Sequence, residues 1–154
     1  DYAWSKGCMV NAAAGNAGYN GANTIGWPAK YANCLCCGAY QSNGTIANFS
    51  SGGREIDWAN PGQDVISFST NGTAYRPMSG TSMATPLGSG ALACLVEIRL
   101  RQGLPLFTSA QEVLDYFDQS LKDAGVAGFD ERFGKGIPDG AFLLKAIIFA
   151  LTGA

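Results

Sequence analysis

The stretch Gly80-Thr81-Ser82-Met83-Ala84-Thr85-Pro86 decides the reading of this chain. It stands where the sequence changes character. From Ser82 to Arg101 apolar residues recur at helical spacing: Met83, Leu87, Ala91, Cys94, Leu95 and Ile98. That pattern predicts a long, mostly buried helix. A glycine-rich loop that becomes a helix at Ser82 aims backbone N–H groups and the positive helix end at the serine hydroxyl. An oxyanion forming there would be stabilised. Pro86 reads as a first-turn residue, where a missing N–H costs little. On spacing alone, the plainer reading of Ser82 as an N-cap serine is favoured.

Upstream the chain is built of short apolar runs. Asp1 to Lys6 reads as a helix end stopped by Gly7. Cys8 to Ala14 is apolar except for Asn11, the pattern of a strand buried on both faces in a parallel sheet. Gly15 to Tyr31 is loop. Cys34 to Tyr40 predicts a second buried strand, Ile46 to Ser50 an edge strand, and Ile56 to Ala59 and Val65 to Ser69 two more. Downstream, Ser109 and Glu112 have the spacing of a capping box opening a helix to Leu121. Asp123 to Pro138 is glycine-rich loop, and a last helix opens at Pro138 or Asp139 and runs through Leu151. Strands first and helices last predict an α/β fold, a sheet with helices packed on it. The strands are few for a self-sufficient doubly wound sheet, so more are expected from elsewhere.

Composition narrows the class. The chain has 154 residues, 47% apolar and only 14% charged, which suits one compact, well-buried domain. Its net charge is −2 with no run of like charges, so neither nucleic acid nor a membrane surface is an expected partner. The longest apolar stretch, Ala146 to Leu151, is far short of a bilayer span. The start Asp1-Tyr2-Ala3-Trp4 is not a signal peptide, and with no initiator Met it reads as the start of a processed product. Five cysteines leave at least one thiol outside any internal disulfide. A metal cluster of Cys34, Cys36 and Cys37 is disfavoured, because neighbours on a strand face opposite ways and there is no histidine to complete a site. The zero histidine count is the most informative number. It excludes a complete serine–histidine–aspartate site within this chain.

A second feature pairs with Ser82. The strand ending at Ala14 runs into Gly15-Asn16-Ala17-Gly18. An asparagine leaving the carboxyl end of a parallel strand points into the ligand crevice of such folds, where its amide can donate to an oxyanion. The plainer alternative is a turn asparagine.

Together these segments resemble the subtilisin-like serine proteases, closest to their thermitase-like branch. Ala12-Ala13-Ala14-Gly15-Asn16 is similar to the family's oxyanion-asparagine motif, and Gly80 to Pro86 to its nucleophile motif. Trp27-Pro28-Ala29-Lys30-Tyr31, Phe49-Ser50-Ser51, Pro61-Gly62 and Gly134-Lys135-Gly136 fall in the family's order. The resemblance runs from about Tyr2 to about Ala146. It implies a doubly wound parallel sheet with helices on both faces, of which residues 1–154 supply the carboxy-terminal portion. It implies that Ser82 attacks a scissile peptide carbonyl, that the Ser82 N–H and Asn16 side chain bind the oxyanion, that Ala13, Ala14 and Gly15 wall the pocket for the residue before the cut, and that Gly26 lies at its floor. It implies that oxidation of Met83 impairs activity. A structural Ca²⁺ or Na⁺ is implied at Glu55, Asp57 and the carbonyls of Ala29 and Tyr31, although Glu55 and Asp57 also read as solvated strand-edge acids. A secreted or extracellular location is implied as well.

Three departures qualify the resemblance. The aspartate and histidine motifs, which lie upstream in the family, are absent. Leu87-Gly88-Ser89 follows Pro86 where the family has histidine first. Asn11 interrupts an otherwise apolar strand. The expected protein is therefore a serine endopeptidase completed by an amino-terminal partner segment that carries the aspartate and histidine. The alternatives are a non-catalytic binding module of the same fold, and an α/β-hydrolase esterase, which Arg76-Pro77 before the serine and the lack of histidine after it disfavour.

Overall fold

The computed structural model describes residues 1–70, 74–141, 144 and 148. Three parallel strands form its centre: β1 (Asn11–Ala13), β2 (Leu35–Tyr40) and β3 (Trp58–Pro61), in that spatial order. A short helix α1 (Tyr2–Ser5) precedes them and ends where Gly7 turns left-handed at φ 73°. An antiparallel hairpin, β4 (Val65–Phe68) and β5 (Tyr75–Met78), leads into the long helix α2 (Thr81–Arg101). Helix α3 (Ala110–Phe117) and a 3-10 turn (Asp118–Ser120) follow, then a small ribbon of β6 (Leu121–Lys122) and β7 (Ile137–Pro138).

β2 shows why the sequence makes this sheet. Alternate residues serve opposite faces. Leu35, Cys37 and Ala39 enter one core with Trp4, Trp58, Leu92, Leu95, Phe107, Val113 and Phe117. Cys36 enters the other with Ala14, Ile25, Ala29 and Ile56. Helices α2 and α3 cover the first face, and residues of the 14–29 segment cover the second. The adjacent cysteines Cys36 and Cys37 do face opposite ways.

Several boundaries differ from the sequence reading. β1 is three residues long and only partly buried, because among the described residues it lies at the edge of the sheet beside β2. The expected strand at Ile46 to Ser50 is reduced to a single bridge between Tyr40 and Ile46. Its polar residues are used otherwise: Ser50 Oγ accepts the Ala39 N–H at 3.0 Å, so a side chain replaces a strand partner. β3 starts two residues late, at Trp58. β5 was not anticipated, since Arg76-Pro77 reads as a strand breaker; both residues sit on an exposed two-stranded ribbon, where proline is tolerated.

Helix α2 starts at Thr81, so Pro86 lies past the first turn and deprives the Ser82 carbonyl of its helical donor. The buried stripe is Thr81, Ala84, Gly88, Leu92, Leu95 and Ile98, rotated from the predicted one, and Leu87 is exposed. Ser109 caps α3 by accepting the Glu112 N–H at 3.2 Å. The Glu112 carboxylate reaches one residue further back than a capping box requires, to the Thr108 N–H at 2.9 Å, and also pairs with Arg99. The helix expected from Pro138 or Asp139 to Leu151 lies largely outside the described residues.

The Gly134-Lys135-Gly136 element locks the loop against the sheet. Gly134 has φ +64°, and a Cβ there would come within 2.5 Å of the Asp57 carbonyl. Gly136 has φ +129°, and its Cβ would meet Lys122 O at 2.2 Å. The Lys135 N–H donates to Asp57 O at 2.9 Å, and Gly136 O accepts the Ala59 N–H at 3.0 Å. Only glycine permits both the conformation and the approach.

The thiols differ in the same way as their burial. Cys8 is exposed, whereas Cys34, Cys36 and Cys37 are buried. Burial pushes the Cys36 thiol far up, and pushes Cys37 up to about 11 against an opposing hydrogen bond from the Asn60 amide. A thiol-specific reagent applied to the native protein near pH 8 is therefore expected to modify Cys8 first, with Cys36 and Cys37 reacting only on denaturation. Peptide mapping checks this, and rapid native labelling of Cys36 or Cys37 would contradict the packing.

Candidate active site

Ser82 is the second residue of α2, and it is exposed. As a first-turn residue it has no helical carbonyl one turn back to take its N–H. The N–H of Thr81, its neighbour, is taken by the Asn16 side chain. Asn16 Oδ1 accepts from the Thr81 N–H at 2.9 Å and from Thr81 Oγ1 at 3.0 Å. Thr81 Oγ1 in turn accepts the Gly15 N–H at 3.2 Å. With Oδ1 committed twice, the amide orientation is fixed, and Nδ2 is left as the free donor.

Gly80 shows where that donor points. A Cβ at Gly80 would lie 3.4 Å from Asn16 Nδ2, 3.7 Å from the Ser82 backbone nitrogen and 3.5 Å from Met83 Sδ. One space is therefore bounded by two N–H donors and a thioether, and glycine keeps it open. This is the arrangement an oxyanion hole needs. Met83 sulfur stands beside it, so an added sulfoxide oxygen would intrude there.

The loop carrying Asn16 is held from several sides. The Gly15 carbonyl accepts the Ser51 N–H at 2.9 Å, and Ser51 Oγ accepts the Ala17 N–H at 3.1 Å. The Gly26 N–H donates to Ala14 O at 2.8 Å, and a Cβ at Gly15 would lie 3.7 Å from the Gly26 nitrogen, which places Gly26 beside Ala14 and Gly15. A Cβ at Gly26 would find one neighbour, Ala14 O at 3.8 Å, so this position borders free space. The structure thus brings Ser82, Asn16 and Gly15 together through Thr81, with Ala14 and Gly26 paired alongside.

Thr81 is the residue that sequence reasoning missed. It is fully buried and bridges the two halves of the site. Its signal was present in retrospect: a hydroxyl residue at the first helical position, directly before the serine.

The expected cation ligands are less convergent. Asp57 Oδ2 accepts the Cys36 N–H at 2.6 Å, and Glu55 Oε2 accepts from Asn23 Nδ2 at 2.6 Å. Burial pushes the Asp57 carboxyl up to about 7, against the Cys36 hydrogen bond and the charge of Lys135. Ala29 is buried and Tyr31 exposed, its ring 4.5 Å from Trp27.

The description of the Subtilase family, Peptidase_S8, matches residues 1–136. The chain belongs to the subtilase family. Over 138 residues it is 39% identical to subtilisin E of Bacillus subtilis (strain 168), covering 89% of this chain and 34% of that protein. It is equally similar to a subtilisin of Bacillus pumilus, where the match covers 46% of the relative. The solved structure of the prenylagaramide maturation protease PagA superposes with a TM-score of 0.75 at 25% identity, covering 94% of this chain and 52% of that one. The fold is thus subtilisin-like, and the chain spans about a third to about a half of these relatives' lengths. Membership makes it part of a serine peptidase family; here Asn16, Thr81 and Gly15 form one hydrogen-bonded unit next to Ser82.

Proposed function

We propose that this chain is the nucleophile-bearing portion of a serine endopeptidase. Ser82 Oγ attacks the scissile carbonyl, the oxyanion is held by the Ser82 N–H and Asn16 Nδ2, and the acyl-enzyme on Ser82 is then hydrolysed. What supports this reading above all is the space beside Gly80, within 3.4 Å of one donor and 3.7 Å of the other. Ala13, Ala14, Gly15 and Gly26 line the pocket for the residue before the cut. A serine hydroxyl is a weak nucleophile without a base. With no histidine in the chain, the base and its aspartate come from an amino-terminal segment of the same protease. The substrate is a polypeptide in an extended conformation, and the working location is extracellular.

A structural Ca²⁺ or Na⁺ held by Glu55, Asp57 and the carbonyls of Ala29 and Tyr31 belongs to the same proposal. A desolvated carboxyl such as Asp57 is what a hard cation would favour in its charged form. The cation would stabilise the loop and take no part in bond cleavage.

Adding the amino-terminal segment is expected to turn an inactive chain into an enzyme that hydrolyses a chromogenic peptide, and Ser82→Ala in the same pair is expected to abolish turnover. A pair that assembles and stays inactive would contradict the proposal. The zero histidine count favours one other reading, a non-catalytic binding module. That reading requires a folded, silent species with the native mass of a single 154-residue chain.

A further inference from the structure

The β4–β5 ribbon that leads into α2 carries an apolar face that the active site does not use. Alternate residues of a strand share a face. The register pairs Ile66 with Pro77 and Phe68 with Tyr75, so these four side chains lie together on one side of the ribbon. The Phe68 and Tyr75 rings are 5.0 Å apart. Yet Ile66 is 71% exposed, Phe68 80% and Tyr75 61%, and Pro77 is exposed as well. None of the four is charged.

A two-stranded hairpin alone is marginally stable in water and ordinarily packs its apolar face on a further layer. A contiguous exposed apolar patch marks a surface that another chain covers. The place of the ribbon in the fold says which chain. The Asp64 N–H donates to Ser79 Oγ at 2.9 Å and the Gly80 N–H to Gly62 O at 2.8 Å, so the base of the ribbon is fixed beside the open space at Gly80. Pro77 and Ser82 are five peptide steps apart, at most about 18 Å of chain. A general base has to come within about 3 Å of the Ser82 hydroxyl, which brings the segment carrying it next to the ribbon. The match to subtilisin E covers 34% of that protein, so most of such a relative is available as cover. A second copy of this chain would cover the ribbon too, but it brings no histidine and would stand in the approach to Ser82.

We propose that the face formed by Ile66, Phe68, Tyr75 and Pro77 is the docking surface for the amino-terminal segment that delivers the base to Ser82. The inference rests on the reading of Ser82 as a nucleophile completed from outside this chain. The segment meets the ribbon with an uncharged, apolar surface of its own. Burying the two rings there supplies binding energy close to the reacting hydroxyl, and the short path to Gly80 makes the ribbon a gauge for where the segment sits.

Titrating the fluorophore-labelled amino-terminal segment of the same protease with this chain, read by anisotropy, tests the docking surface without relying on turnover. Phe68→Asp and Ile66→Asp are each expected to weaken Kd by about 30-fold or more. Val126→Asp, at a site 72% exposed in the 123–138 loop, should bind as the wild type does. Amide exchange over β4 and β5 should slow when the segment is bound. Tyr75→Ser replaces either aspartate variant that does not fold. Ribbon variants that bind within about threefold of wild type, or ribbon amides whose exchange a bound segment leaves unchanged, overturn the proposal. A wild-type chain that is dimeric through the ribbon and stays so with the segment present overturns it in favour of a second copy. An assembled pair that is inactive, yet loses binding in the ribbon variants, supports the surface and contradicts only the catalytic reading.

Discussion

Replacing Asn16 by leucine is expected to lower kcat of the assembled protease by about 10²–10³, or about 2.7–4 kcal/mol, with KM little changed. The reasoning is differential. The Asn16 amide faces the space beside Gly80, where charge develops only as the carbonyl becomes tetrahedral. The ground-state substrate gains little from it. Leucine also leaves the Thr81 N–H and hydroxyl without their acceptor, so some loss of stability is expected. Asn16→Asp separates the two effects. Aspartate keeps an oxygen for Thr81 but replaces the donor with a second, negatively charged acceptor. It should preserve the melting temperature better than leucine while losing at least as much rate. A kcat within tenfold of wild type in both variants would remove Asn16 from the oxyanion site.

The largest expected stability effect lies in the core beneath helices α2 and α3. Phe117 is 0% exposed and packs edge-on against Trp58, ring centroids 5.2 Å apart. Phe117→Ala should cost about 3–5 kcal/mol, the transfer loss plus the cavity left behind. That is a large share of the roughly 5–15 kcal/mol that holds a domain folded. At about 2–4 °C per kcal/mol for a chain of this size, the melting temperature should fall by roughly 6–20 °C. Phe68→Ala is the control, because Phe68 is 80% exposed on the β4–β5 hairpin. It should change stability by no more than about 0.5 kcal/mol. Equal effects from the two substitutions would contradict the assignment of the core.

Much of the site was legible in the sequence because its chemistry is local. Ser82 stands two residues after Gly80 at the start of a helix, and Asn16 lies just past a strand; both patterns can be read within a few residues. Thr81 was not legible, because its role is a contact across 65 residues to Asn16. The fold shows the same division. β2 announced itself by a continuous apolar run, and its two faces separated as the alternation required. Ile46 to Ser50 misled because a strand-like composition is completed there by a serine hydroxyl instead of a ladder. The α2 stripe was displaced because Gly88 and Thr81, neither of them strongly apolar, are what the helix buries. Asn11 made no sense in isolation, since its partners Thr85 and Ser89 lie more than 70 residues away.

The central claim is that Ser82 is a nucleophile built into this chain and activated from outside it. A serine-directed fluorophosphonate, followed by peptide mapping, tests that claim most directly. The account predicts stoichiometric labelling of Ser82 when the amino-terminal segment is present, almost none on the chain alone, and none in either case for Ser82→Ala. Labelling of a different residue, or an assembled pair that leaves Ser82 unmodified, would contradict it.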